Sequence, residues 1–235
     1  MRKILILAII IVPVIVLVTL PVRTVLPLFE LPDALGQVRG TLWSGQANWN
    51  QPGHGPLRVQ WRWSGGRDWL VEVSDPATQL EGRLRPGGGL HFIDLTGRIE
   101  LDRVDLAHWF PNTRPAGHLE VDLEESLLLP GEIPRLRGQV IWADARLEGG
   151  VHEQLGRVAI DLEPGPEHQL ARIRSLDMAP VQIRGEVRTD EHQYHADLWL
   201  RAGSDRPELT RQLAPLGELQ PDGQVRIELR GNLGW

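Results

Sequence analysis

Period-two alternation of apolar and polar residues runs through most of the chain. In PLRVQWRW, Leu57, Val59, Trp61 and Trp63 point one way while Arg58, Gln60 and Arg62 point the other. In GHLEVDLEE, Leu119, Val121 and Leu123 oppose Glu120, Asp122 and Glu124. The same spacing recurs at Ile141/Ala143/Ala145/Leu147, Val158/Ile160/Leu162, Tyr194/Ala196/Leu198/Leu200 and Val225/Ile227/Leu229. Successive side chains of a strand project to opposite faces, so each run predicts a strand with one buried and one wet face, as antiparallel sheets require. Turns come from Gly and Pro, which number 25 and 18, in clusters such as RPGGG and EPGPE.

Two stretches carry helical spacing instead. SDRPELTRQLAPLG offers Ser204 or Asp205 as a cap, Pro207 in the first turn and Leu209 and Leu213 four apart. DRVDLAHWF, residues 102–110, predicts a second short helix ended by Pro111. A weak echo, a Gly followed by alternating apolar positions, appears in RGTLW, EGRLR, TGRIEL, AGHLEV, RGQVIW, RGEVR and DGQVRIEL. It predicts hairpins whose strands begin on a Gly. A sharper reading is a curved, half-open sheet with an apolar concave face.

The N-terminus departs from this pattern. Arg2 and Lys3 precede ILILAIIIVPVIVLVTLPV, residues 4–22, which holds no charge. Nineteen helical residues at about 1.5 Å each span roughly the 30 Å hydrocarbon core of a bilayer. No small-residue cleavage site follows in TLPVRTVLPLFELPD, and there is no Cys for a lipoprotein anchor. The expectation is an uncleaved signal anchor with its N-terminus in the cytoplasm, on the side of Arg2 and Lys3. The predicted organisation is therefore a stub and transmembrane anchor at 1–22, a juxtamembrane segment at 23–36, and one mostly-β domain at 37–235. That domain is a curved, largely antiparallel sheet with one or two short helices.

Charge narrows the partners. Setting Arg2 and Lys3 aside from the 25 basic residues leaves 23 against 31 acidic ones, a net charge of −8 outside the membrane. Nucleic acid is excluded as a partner, because phosphate neutralisation needs clustered positive charge. With no Cys there is neither a disulfide nor a thiolate metal site.

Catalytic chemistry has little to stand on. His192 and His195 in EHQYH fall on opposite faces of a strand, and the remaining His residues (54, 91, 108, 118, 152 and 168) have no second ligand at metal spacing. Ser44 in WSG lacks the flanking pattern of a nucleophile elbow, and RPGGG is not followed by Lys-Ser/Thr. Glu124 and Glu125 are adjacent in sequence and so diverge, whereas paired-carboxylate chemistry needs both groups on one bond. No catalytic, metal or cofactor-binding residue is assigned, and no cofactor is expected.

Tryptophan is the compositional oddity. The chain has nine Trp against one Tyr and three Phe, and five of the nine lie between Trp43 and Trp69. They would pack one end of the sheet, form a belt at the membrane surface, or stack on a ligand in a groove. Core packing is the default. Within GTLWSGQANW, Trp43 is expected on a strand with Leu42 facing the other way, a turn opening at Gly45, and both faces buried because the stretch is uncharged.

These residues also carry a resemblance. An N-terminal anchor followed by VRGTLWSGQA at 38–47, then VQWRW, and finally LTRQLAPLGELQPDG with QVRIELRGNL, resembles the N protein of bacterial type II secretion systems (general secretion pathway protein N). The resemblance implies an inner-membrane, largely periplasmic, non-enzymatic component of the machine that exports folded proteins through the outer membrane. Its partners would be other secretion components, and the inner membrane itself through residues 4–22. The opening stretch is also similar to the large inner-membrane proteins thought to move lipid along a β-groove. That keeps open a groove protein that binds or transfers lipid or another amphiphile.

Overall fold

A computed structural model describes residues 35–50, 56–87, 89–104, 113–129, 131–149, 153–190, 193–203 and 207–232. The expected anchor at 4–22, most of the juxtamembrane segment, residues 105–110 of the second expected helix and the cap candidates Ser204 and Asp205 lie outside them. Among the described residues no helix is long and apolar enough to cross a membrane.

The chain divides into two compact units, Met1–Asp75 and Pro76–Trp235. The described part of the first is an antiparallel meander of β1 (Leu35–Gly40), β2 (Ser44–Trp49), β3 (Leu57–Gly65) and β4 (Asp68–Ser74). The alternation sets its face. Ala47, Val59 and Val73 lie in register across β2, β3 and β4, as do Gly45, Trp61 and Val71. Val38 and Ala47 are buried there under Trp61.

The second unit carries β5 (Thr78–Pro86), β6 (Leu90–Glu100), β7 (Thr113–Leu128), β8 (Arg135–Gly149), β9 (Glu153–Pro164), β10 (Gln169–Ser175), β11 (Val181–Thr189), β12 (Gln193–Ala202), β13 (Glu218–Leu219) and β14 (Val225–Asn232). From β5 to β12 each strand pairs antiparallel with the next, and β12 then pairs with β14, which carries β13 on part of its outer side. Among the described residues the helix α1 (Pro207–Leu213) continues into a 3-10 turn at Ala214–Leu216. As its spacing predicts, Leu209 and Leu213 are both buried, packed with Ala145, Leu155, Val158, Val181, Leu200 and Val225. The fold class is thus mostly β and antiparallel, with very little helix. Only a 3-10 turn at Leu101–Arg103 stands in the described part of the second expected helix.

Three local expectations need correction. The alternation Ile141/Ala143/Ala145/Leu147 does not stay on one face. A bulge between Trp142 and Ala145, with Asp144 at φ +50°, inserts one residue and inverts the side-chain order. Ala145 and Leu147 therefore join the buried cluster beside Trp142, while Ile141 is in register with Ala159 on the other face.

The echo glycines do not start hairpins either. Gly82, Gly97, Gly117, Gly138 and Gly185 lie inside strands. Gly138 shows why: its φ is +137°, and a Cβ there would stand 2.4 Å from the carbonyl oxygen of Asp122 on β7. The glycine lets two backbones approach where β7 has its own register shift, between Leu123 and Glu125.

The third correction concerns GTLWSGQANW. The chain turns at residues 41–43, before Gly45, and β2 starts at Ser44. The Thr41 hydroxyl accepts hydrogen bonds from the N–H groups of Trp43 (3.2 Å) and Ser44 (3.3 Å), a local competitor to the strand ladder. Trp43 is half-buried.

Candidate functional site

The register of the second unit aligns its apolar positions into rows. Leu80, Gly97, Val121, Val140, Ile160, Ile173, Gly185, Leu198 and Ile227 are successive partners from β5 to β14. Beside them run Leu95, Leu123, Gly138, Leu162, Ala171, Val187, Ala196 and Leu229. Neither row contains a charged or polar side chain. At about 4.8 Å per strand the first row extends roughly 38 Å along the sheet.

Among the described residues, a second layer covers only part of this face. At one end α1 lays Leu209 and Leu213 over Leu200, Val181 and Val225, and these residues are buried. Elsewhere Leu80, Val121, Val140, Ile160, Leu162, Ile173, Leu198 and Ile227 remain half-buried, and Leu229 is 47% exposed. A contiguous half-wet apolar surface of this extent is uncommon on a soluble monomer and marks a binding surface. It is the candidate site.

Two polar side chains border it. Gln169 is buried and holds the end of β8: its Oε1 accepts from the N–H of Leu136 (2.8 Å) and its Nε2 donates to the Leu136 carbonyl (2.9 Å). The Ser126 hydroxyl, in register with Leu136 and Phe92, is buried without a hydrogen-bond partner.

The opposite face is a field of charge. Gln139, Asp161 and Arg174 are joined by side-chain hydrogen bonds across β8, β9 and β10. Arg226 makes two 2.8 Å bonds to the Asp197 carboxylate, and the guanidiniums of Arg226 and Arg184 stand 5.3 and 5.7 Å from the Trp199 ring. The Arg226 bonds hold the Asp197 carboxyl below its usual range and raise the Arg226 guanidinium. Asp222 is likewise lowered, by the backbone N–H of Gln224, and Arg146 is raised by its hydrogen bond to Glu148. Each perturbed group sits in a structural ion pair or turn.

The His residues do not converge. His195 lies on the charged face of β12, opposite Arg188 and Arg230. His91 bonds Glu125 at 2.9 Å, and His118 stands between Glu120 (3.4 Å) and Asp144 (3.7 Å). His54, His108, His152 and His192 lie outside the described residues. Among the described residues no three His, Cys, Asp or Glu side chains are placed to hold a metal ion. Among the strands of the apolar face, the alternation marked β7, β9, β12 and β14. The continuity of that face was not legible, because rows exist only once the register of nine strands is set.

In the first unit the tryptophans make a different cluster. Trp43 meets Trp63 edge-on at 5.4 Å and stacks on Trp69 at 6.5 Å. The indole N–H of Trp61 donates to the Thr41 carbonyl (3.1 Å) and that of Trp69 to the Leu42 carbonyl (2.9 Å). Gly45 makes room for the Trp61 ring, since a Cβ there would stand 2.3 Å from it. The order Gly-Thr-Leu-Trp-Ser-Gly is thus a turn pinned by rings from β3 and β4.

The family described as type II secretion system (T2SS), protein N, matches residues 34–228. That span covers both units. No curated protein and no solved structure matches the chain. The chain belongs to the type II secretion protein N family and is a component of that protein-export system.

Proposed function

We propose that this type II secretion protein N is a non-enzymatic adaptor of the inner membrane. Residues 4–22 anchor it with the N-terminus in the cytoplasm, and residues 37–235 work in the periplasm. Its task is to hold other secretion components through the open apolar face of β5 to β14. The observation that carries this reading is the pair of uncharged rows from Leu80 to Ile227 and from Leu95 to Leu229, half-exposed over most of their length. Burying such a surface against a partner is favourable by about 25 cal/mol per Å² of apolar area. The charged reverse face keeps the domain soluble in an aqueous compartment.

The same rows favour a second reading, in which the face takes the acyl chains of a lipid. One experiment separates the two. A photo-crosslinking residue at Val140 in the full chain, activated in cells that secrete a reporter exoprotein, should yield adducts with other secretion proteins. The Val140→Glu variant should retain the exoprotein in the periplasm at unchanged protein level. Adducts of lipid mass would replace the adaptor reading by the lipid one. Normal secretion by a stably folded Val140→Glu would remove the face from function altogether.

A further inference from the structure

The sheet of the second unit ends on β14, and its outer side is only partly used. Two residues of β13 cover it: Glu218 pairs with Arg226 and Leu219 with Val225. Gly217 then lies against the carbonyl of Arg226 and the side chain of Ile227. Among the described residues nothing pairs with the outer side of 228–232, although β14 stays in unbroken register with β12 from Val225 to Asn232. Edges of natural sheets are usually blunted by bulges, prolines or inward charges. β1 shows such a device, a register shift between Gly36 and Arg39 with Gln37 at φ +50°. β14 shows none.

This edge is also apolar. Of the six large hydrophobic residues exposed among the described ones, three belong to it: Leu216 at 38%, Leu219 at 52% and Leu229 at 47%. Its charges alternate in sign: Arg226 bonds Asp197 of β12, and Glu228 bonds, within its own strand, Arg230, whose side chain is 73% exposed.

We infer that β14 is a self-association edge, on which a second copy of this chain adds antiparallel about a two-fold axis through Leu229. In that register Leu229 meets Leu229. Glu228 of each copy faces Arg230 of the other, so opposite charges pair twice. Shifting one copy by two residues along the other would set Arg230 against Arg230 or Glu228 against Glu228 at the axis. Shifting by one would turn the leucines to the charged face, so charge and pleat select one register. β13 pairs up to Arg226 and Gly217 lies against Ile227, which leaves room for the short ladder 228–230. The added strand also joins the apolar rows of the two copies through Ile227 and Leu229, making one face of two sheets. A ladder this short belongs to the small, transient interface class, and it stands independently of what the apolar face binds.

The chain has no Cys, which makes the test clean. Leu229→Cys in the full chain, expressed in cells and oxidised with copper–phenanthroline, should form a disulfide-linked homodimer. Opposed Cα atoms of an antiparallel pair lie about 4.5–5.5 Å apart, within disulfide range. Gln182→Cys, exposed on β11 and two strands in from the edge, serves as the background. In the Leu229→Cys chain, Glu228→Arg or Arg230→Glu alone should cut the dimer yield at least tenfold. The combined swap should bring it back to within threefold, while circular dichroism of every variant stays unchanged. Cross-linking no faster than Gln182→Cys, an adduct with a different protein, or a combined swap that fails to restore the dimer would each overturn the inference.

Discussion

The two units cover their strands by different means. In the first, three rings gather around a turn, and two indole N–H groups from β3 and β4 hold the carbonyls of Thr41 and Leu42. None of those rings is fully buried, and Trp63 is 45% exposed. In the second, α1 presses Leu209 and Leu213 onto the strands until Leu213 is 2% exposed and Val225 is fully covered. Indoles close a wet end because each supplies area and a donor at once, so the backbone carbonyls they cover stay satisfied. Leucine carries no donor, so it closes an end only where the strand backbones beneath are already paired.

The sharpest way to break this contrast is Leu213→Ala. The helix side chain sits in a closed cluster, so its truncation should cost about 2–5 kcal/mol. Hydrogen exchange of the full chain should show faster opening of β9, β11, β12 and β14. Unchanged protection there would mean that α1 is a passenger on the sheet.

Trp43→Ala should cost less, about 1–2 kcal/mol. It loses one edge contact and one stacked contact, each worth roughly 0.5–1.5 kcal/mol, partly offset because the ring is already half-wet. The measurement is again exchange, now in β1 to β4, together with tryptophan fluorescence. A loss as large as that of Leu213→Ala would place Trp43 in a core and erase the distinction between the two ends.

The smallest effect belongs to the charged face. The hydrogen bonds from Arg226 lower the Asp197 carboxyl, so that group adds stability above its unfolded value, about pH 4, and loses it as pH falls through the lower folded value. Both side chains are partly solvated, so the gain is small. The melting temperature of the parent should exceed that of Asp197→Asn by a constant margin from pH 7 to 5, and the margin should close below about pH 4. A margin that does not shrink as pH falls below about 4 would assign the effect to packing.

How far the sequence could be read follows the range of the forces involved. Period-two alternation marked β3, β7, β9, β12 and β14 because strand geometry is local. Leu209 and Leu213 marked α1 for the same reason. Alternation failed at Ile141, where one inserted residue at Asp144 inverts the order, and nothing in the local composition announces a bulge. It failed again at Trp43, where the Thr41 hydroxyl turns the chain and rings from residues 61, 63 and 69 arrive to hold it. The separation at Asp75 has no linker to betray it, since the strand pattern crosses it unchanged.

By itself, then, the sequence determined which residues could share a face, that the fold is antiparallel β with one or two short helices, and, through its motifs, the family to which the chain belongs. Only the tertiary structure decided that those faces line up into rows, that α1 covers one end of them alone, and that β13 leaves the outer side of β14 open. Alternation and helical spacing are set by bonds between near neighbours. Register, cover and free edges depend on pairings between residues tens of positions apart, which no local pattern encodes.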